Sequence, residues 1–467
     1  MTAQSEDGAT GSLELAFARQ VQATPEATAL IVEGAPVRYA ELWHDALGTA
    51  VALSRRGVAE GDVVGVHLER GREWVAAALG ILRLGAAVLP LPPSYPLERR
   101  RAILAGASPV AVVVDRETPL PEDMEFEALD VSVLRREPWD SPAAPGPASA
   151  EREWEASVAS LESELPVRPT RDRLEGSPAF VLSSSGTTGQ PKLIVRSHRS
   201  FFHRLEWTWR TLPFQDGELG CQKAHQTTTH GVYELFEPLL RGVPTLLIPD
   251  AEVRDLEAFW ARVRESGVTR LLLVPSMLRA TLDAGLPLPV GLRAVILMGE
   301  AVSSSLARRA VEALPSTTAL YSIYGSTEAS SVLAVELRTA PLDGPAPPLG
   351  VPLTPEITAH VLDADGQEVA PGGSGRLHLG GPALFDGYLG EPELTAEVLR
   401  DLRGQRLFDT RDDERLGADG QLDFLGRTDS TVKIRGFRVD VLEVERRLRE
   451  LHGVGEAVAV AAAAPGG

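Results

Sequence analysis

The sequence of 467 residues holds one cysteine, Cys221. One thiol cannot close an internal disulfide, so a packed core must hold the fold, and a reducing, cytoplasmic location is expected. Cys221 itself reads as a small buried apolar side chain rather than a nucleophile. No run of about 18 apolar residues occurs, so no membrane span is expected. The segment from Met1 to Asp7 lacks the basic and apolar parts of a signal peptide. Positive charge is also short: 46 Lys and Arg stand against 65 Asp and Glu, a net charge of -19. That balance argues against nucleic acid or an anionic membrane as general partners, without excluding a local basic patch. No internal repeat is visible. The length allows one large domain or several smaller ones, with ample core.

What is present is mostly an α/β alternation. Residues 13–56 read as helical and then mixed, with a helix opening at Tyr39. Val63–Leu68 reads as a buried strand, Trp74–Leu84 as an apolar helix and Gly85–Leu91 as the next strand, which makes a parallel βαβ unit. Residues 137–173, rich in Pro, Ala and Glu, read as a surface excursion with at most one short helix. Residues 244–314 alternate again: strands at 244–248, 270–274 and 292–298, helices at 253–266, 276–284 and 303–314. From Pro345 the composition shifts to short strands with more Pro and Gly. A final module opens near Gly426 and continues into a charged helix from Val441 to Leu451.

One stretch stands out, Leu182-Ser-Ser-Ser-Gly-Thr-Thr-Gly-Gln-Pro-Lys192. It follows an apolar run, Ala179–Leu182, that reads as a strand end. Five hydroxyls, two glycines and a lysine fall within eleven residues. Backbone N–H groups in such a turn form an anion-binding concavity, and hydroxyls and a mobile cation add to it. A P-loop is excluded, because that motif needs a Gly-Lys pair and an opening helix, and here Gly189 is followed by Gln190-Pro191. By composition alone, the stretch could equally be an ordinary Ser/Gly-rich surface loop. Its residue order resembles the phosphate-binding loop of the adenylate-forming superfamily, which includes acyl-CoA synthetases and the adenylation domains of nonribosomal peptide synthetases.

Further matches follow in family order. Leu84-Gly-Ala-Ala87 with Leu89-Pro-Leu91 resembles an early structural motif. Tyr324-Gly-Ser-Thr-Glu328 resembles the adenylate-binding motif: a Tyr offers a flat face to adenine, Thr327 a hydroxyl to a phosphate and Glu328 a hard oxygen to Mg²⁺. Gly375-Arg-Leu377 and Gly387-Tyr-Leu389 resemble the segment before the ribose site. Thr410-Arg-Asp412 resembles the Thr-Gly-Asp whose carboxylate takes both ribose hydroxyls, with Arg411 in place of the usual glycine. Leu425-Gly-Arg-Thr-Asp429 resembles the hinge, and Lys433-Ile-Arg-Gly436 the start of a mobile lid. Ser322 stands where peptide synthetase domains usually carry Asn. The hinge and lid wording is similar to peptide synthetases more than to acyl-CoA synthetases, the nearest rival. A non-catalytic adenylate-like binding module is the rival of a different class.

The resemblance implies an α/β fold: a large N-terminal domain of layered α/β sheets over residues 1–426, β-rich at about 345–426. A mobile α+β C-terminal lid would begin at 427–467 and be incomplete there, since no lysine follows Lys433. It implies two steps: a carboxylate attacks the α-phosphorus of ATP, giving an acyl-adenylate, and the thiol of a phosphopantetheinyl carrier protein takes the acyl group. Lys192, Thr187, Thr188 and Glu328 are the implied catalytic residues, with Glu328 on Mg²⁺. The implied nucleotide residues are Ser183, Ser184, Ser185, Gly186, Gly189, Gly299, Glu300, Ala301, Ser322, Tyr324, Gly325, Thr327, Asp412, Arg427 and Lys433, and Asp429 is the pivot. His198 and His225 carry no specific signal.

The family's substrate pocket maps onto Thr229, His230, Tyr233, Leu272, Ile296, Met298, Ile323, Ser331 and Val332. In amino-acid-activating members an Asp binds the α-ammonium at the position matched here by Thr229, or by His230 with a one-residue shift. Neither is an anion, and burying an ammonium without a counter-charge costs several kcal/mol. A small or medium carboxylic acid without a bound α-ammonium is therefore expected, such as a keto, hydroxy, aryl or short acyl acid. An α- or β-amino acid is the alternative. Thr229 could also simply cap the helix that follows.

Overall fold

The computed structural model describes residues 11–116, 120, 128–131, 147–168, 170–184, 191–402, 404–427, 431–434, 437–441 and single positions between 444 and 459. The chain divides into two compact units, residues 1–182 with 195–254, and residues 183–194 with 255–467. Among the described residues, no helix is long and apolar enough to cross a membrane.

In the first unit the βαβ expectation holds. Val63–Val66 and Ala87–Pro90 are parallel neighbours joined by the helix Arg72–Arg83. Around them the sheet runs in the order Pro178–Ser184, Ala87–Pro90, Val63–Val66, Ala111–Val114, Ala128–Asp130. The three central strands, Val63–Val66, Ala87–Pro90 and Ala111–Val114, are apolar runs, as expected for a parallel sheet covered on both faces. A smaller sheet contains the hairpin Thr28–Val32 and Ala35–Arg38, followed by Thr245–Leu247 and Gly220–Gln222. The hairpin was not legible: it turns on Glu33 and Gly34, both at positive φ, 51° and 85°. That is type I′ geometry, in which Glu is an uncommon first residue.

Two other differences have local causes. The excursion before the phosphate loop contains an 18-residue helix, Pro147–Glu164, not a short one. Proline at its first position is preset for a helix start, and the Ala and Glu that follow are strong helix formers. The single helix expected over 253–266 is two, Asp250–Arg254 and Leu256–Ser266. Asp255 separates them, and its carboxylate caps the second by accepting from the N–H groups of Glu257 and Ala258.

The second unit carries two larger sheets. One runs Arg270–Leu273, Ala294–Met298, Ala319–Ser326, Ser330–Glu336, Val351–Pro352. Its first three strands are parallel and the rest antiparallel. The other is antiparallel throughout, in the order Thr358–Leu362, Ser374–Gly380, Gln405–Leu416, Leu399–Leu402, with Leu422–Arg427 also on Gln405–Leu416. After Pro345 the described elements are strands up to the 12-residue Gln405–Leu416, with the helix Pro392–Val398 among them. Thr431–Ile434 and Phe437–Asp440 form a separate hairpin.

Candidate active site

The second unit assembles two buried carboxylates, Glu328 on a tight connection and Asp412 within the strand Gln405–Leu416. Glu328 lies in the connection between the antiparallel strands Ala319–Ser326 and Ser330–Glu336. That connection is very tight. A Cβ on Gly325 would fall 1.8 Å from the carbonyl oxygen of Ser330, so only glycine fits. The Ser326 hydroxyl accepts from the Ala329 N–H at 3.0 Å, and Ser330 takes a left-handed φ of 63°. The pairing shifts between Tyr324 and Gly325, leaving Val332 as an extra residue opposite them, the kind of bulge that re-aims side chains beside a site.

Glu328 is almost wholly buried, at 1 % exposure. The Tyr388 hydroxyl donates to its Oε1 at 3.1 Å, and its own backbone carbonyl accepts from the Phe385 N–H at 2.7 Å. Tyr388 also has Lys192 over its ring, with Nζ 5.5 Å from the centroid, within cation–π range. The Leu389 N–H donates to the Leu193 carbonyl at 2.8 Å and ties the two segments together. Lys192 and Glu328 are therefore brought to the same aromatic ring. A hard divalent cation such as Mg²⁺ is commonly held by one or two carboxylates plus substrate phosphates. Glu328 supplies such an oxygen, so the donor set fits. Among the described residues no cluster of three or more His, Cys, Asp or Glu forms a protein-only metal cage.

Asp412 forms the second centre. The Tyr324 hydroxyl donates to its Oδ2, and the Arg427 Nη1 donates to its Oδ1. Its backbone N–H donates to the Thr410 hydroxyl at 3.0 Å, which itself donates to the Leu377 carbonyl at 2.8 Å. Burial, and after it the Asp412 carboxylate, hold the Tyr324 phenol well above its ordinary range, so it stays a donor. A carboxylate with two oxygens facing exchangeable donors is suited to a vicinal diol.

The sheet separates two kinds of lining. Leu272 pairs with Ile296, and Met298 with Ile323. Side chains alternate between faces with period two, so these four share one face and are all buried. Ser331, opposite Gly325, joins that face. Ser322 and Tyr324 point to the other. Glu300 lies after the strand end at Gly299, whose φ is 90°. Its carboxylate accepts from the N–H and hydroxyl of Ser276 at 2.8 and 2.9 Å, and so caps the helix Pro275–Asp283. Ala301 follows it, exposed.

Of the other implied residues, Ser183 and Ser184 end the strand Pro178–Ser184, and Thr327 is half-buried in the Glu328 turn. Lys433 lies in the strand Thr431–Ile434. Ser185, Gly186, Thr187, Thr188, Gly189 and Asp429 fall outside the described residues. Thr229, His230 and Tyr233 belong to the first unit, on the helix Thr229–Leu239. The cap of that helix is Thr228, not Thr229: its hydroxyl accepts from the Gly231 N–H at 3.1 Å. Tyr233 is fully buried, edge-on to Phe201 and under Arg204. His198 accepts from the Leu13 N–H through Nδ1, and burial lowers its pKa to about 3, which marks a neutral core histidine. Sequence reasoning gave no role to Tyr388, although its Gly-Tyr-Leu motif was visible, nor to Thr410.

A family model described as AMP-binding enzyme matches residues 17–389. The chain is 34% identical over 450 residues to phosphinothricin tripeptide synthetase PhsB of Streptomyces viridochromogenes, covering 94% of this chain and 35% of that one. It is 32% identical over 456 residues to the AMB antimetabolite synthetase AmbB of Pseudomonas aeruginosa, covering 96% of this chain and 34% of that one. The chain thus spans about a third of these relatives' lengths. A four-domain nonribosomal peptide synthetase solved with AMP and glycine aligns over 96% of this chain and 31% of its own, at 26% identity and a TM-score of 0.77. An artificially fused adenylation–carrier di-domain from Klebsiella oxytoca shares the fold, with a TM-score of 0.78 over 95% of this chain and 84% of its own at 23% identity.

Proposed function

The chain belongs to the AMP-binding enzyme family, and on that premise we propose that it activates a carboxylic acid with ATP and passes the acyl group to the thiol of a phosphopantetheinyl carrier protein. The observation that carries this reading is the meeting of Lys192 and Glu328 on the Tyr388 ring. It gives a cation for the polyphosphate and a carboxylate for its metal. Mg²⁺, when bound by Glu328, neutralises phosphate charge. The remaining work falls to the chain. Lys192, with the hydroxyl loop Ser183, Ser184, Ser185, Thr187 and Thr188, holds the phosphates, and Thr327 adds a hydroxyl. Asp412 keeps Arg427 and takes the ribose diol with its remaining lone pairs as the Tyr324 hydroxyl gives way. The acid's carboxylate oxygen then attacks the α-phosphorus in line as pyrophosphate leaves, a step that needs positioning and charge neutralisation more than proton transfer.

The acid is one without a bound α-ammonium. At the positions that match the family's pocket in sequence, the first turn of Thr229–Leu239 carries no acidic residue, and Leu272, Ile296, Met298 and Ile323 are apolar. The test is ATP–pyrophosphate exchange with an α-amino acid and its α-keto and α-hydroxy counterparts. The keto or hydroxy acid should exchange at least about tenfold faster, the cost of burying an uncompensated ammonium being more than the roughly 1.4 kcal/mol that factor represents. A clear preference for the amino acid would remove the substrate reading while leaving adenylation intact. Supplying coenzyme A and a phosphopantetheinyl carrier as rival acceptors distinguishes carrier loading from acyl-CoA synthesis.

A further inference from the structure

Glu414 is two residues beyond Asp412 on the strand Gln405–Leu416, so the two side chains share a face. It has no exposed surface, and among the described residues neither carboxyl oxygen has a hydrogen-bond partner. The groups around it can be named strand by strand. On its own strand are Asp412, Asp413 and Arg415. Across the sheet stand Gly375, next to Arg376 on one neighbour, and Phe424, next to Asp423 on the other. The cations are engaged elsewhere: Arg376 with Asp409, Arg415 with Asp423, and Arg427 with Asp412. Tyr324, which donates to Asp412, also feels the Glu414 charge. A carboxylate left unpaired at such a place is strongly disfavoured, whereas the neutral acid is tolerated far better.

We propose that Glu414 is a positioning residue for Asp412 and works as an uncharged acid: silent in that form, it leaves Asp412 to Tyr324 and Arg427, and once charged it repels the Asp412 carboxylate and disorders the diol-binding group. This inference rests on the nucleotide reading of Asp412. Burial first, then Asp412, Asp423 and Asp413, push the Glu414 pKa up to about 9, so the uncharged form prevails at neutral pH. A folded-state value above the unfolded one means that the neutral acid's stability advantage is complete below the ordinary carboxylate range. It is lost progressively as pH rises to about 9 and is level above that.

The experiment compares the parent with E414Q, which keeps the shape and cannot ionise, in AMP titrations between pH 7.5 and 9.5 and in urea unfolding between pH 5 and 10. The parent should lose about tenfold in AMP affinity across that range while E414Q stays level, and E414Q should gain in stability over the parent from pH 5 to 9. Identical AMP profiles, or a stability margin that does not vary with pH, would overturn the proposal. The margin needs no nucleotide. If neither protein bound AMP at pH 7.5, the nucleotide reading would fail, and the margin would still decide on Glu414. In a D412N background the margin should narrow, because the neighbouring charge is gone; an unchanged margin would overturn the coupling.

Discussion

Both units bury charge, but they hold it differently. In the first unit Arg204 and Glu237 form a fully buried pair at 3.2 Å, with Arg204 also lying over the rings of Trp207 and Tyr233. Lys223 lies 3.0 Å from Glu234, whose other oxygen accepts the N–H groups of Lys223 and Ala224 at 2.8 and 2.6 Å. These carboxylates face cations or backbone N–H groups that have nowhere else to go. In the second unit the buried carboxylates Glu328 and Asp412 each receive a phenol hydroxyl, from Tyr388 and Tyr324, and Asp412 holds the Arg427 guanidinium besides. A neutral hydroxyl is a weaker partner than a guanidinium, and a ligand can replace it without stranding a charge. Fixed pairs specify packing, and hydroxyl-held carboxylates are poised for exchange.

Breaking one member of each class separates the two roles. Arg204→Ala removes the guanidinium from a buried Glu237 and should cost about 3–5 kcal/mol of stability, read as a fall in the urea midpoint. A loss below about 1 kcal/mol would mean that the first unit's pairs are no more binding than the second unit's. Glu328→Ala and Lys192→Ala should do the reverse. Each should slow pyrophosphate exchange by at least about tenfold, roughly 1.4 kcal/mol in the barrier, and leave the unfolding midpoint close to the parent's. Exchange near the parent rate in either variant would sink the active-site assignment.

The same contrast explains what was legible in the sequence. The parallel βαβ unit was readable, because apolar runs such as Val63–Val66 and Ala87–Pro90 are local signals. Lys192, Tyr324, Glu328 and Asp412 could be named because their motifs are contiguous. Which side chain meets which could not be. Tyr388 meets Glu328 across 60 residues of sequence, and Arg427 meets Asp412 across a strand pair. Nothing local in Tyr39–Ser54 or Thr229–Leu239 tells which face meets which neighbour. Caps failed by a single residue, as at Thr228, because adjacent threonines offer the same hydroxyl. Glu414 carries no signal in the sequence, since its neighbours Asp413 and Arg415 are half-buried and exposed and only the strand's alternation puts it inside.

The smallest expected effect concerns the residue beside Asp412. Arg411 stands where the resembling motif has glycine, and its φ is 61°. That left-handed conformation costs a residue with a Cβ roughly 1–2 kcal/mol, which is why glycine suits the position. Among the contacts that hold the arginine there, its N–H donates to Asp409 Oδ1 at 2.9 Å, and its guanidinium lies 3.8 Å from Glu397. The first belongs to the backbone and survives substitution. The second is a long, partly exposed pair, worth little. Arg411→Gly should therefore relieve the strain, while the added freedom of the unfolded glycine returns roughly 0.5–1 kcal/mol of that gain. The net expectation is a stabilisation of about 0.5–1 kcal/mol, measured as a higher urea midpoint at unchanged slope. A variant less stable than the parent would mean that the Arg411 side chain contributes more than Glu397 accounts for. The strained turn beside the exchangeable carboxylate would then be held by an interaction of the fixed kind found in the first unit.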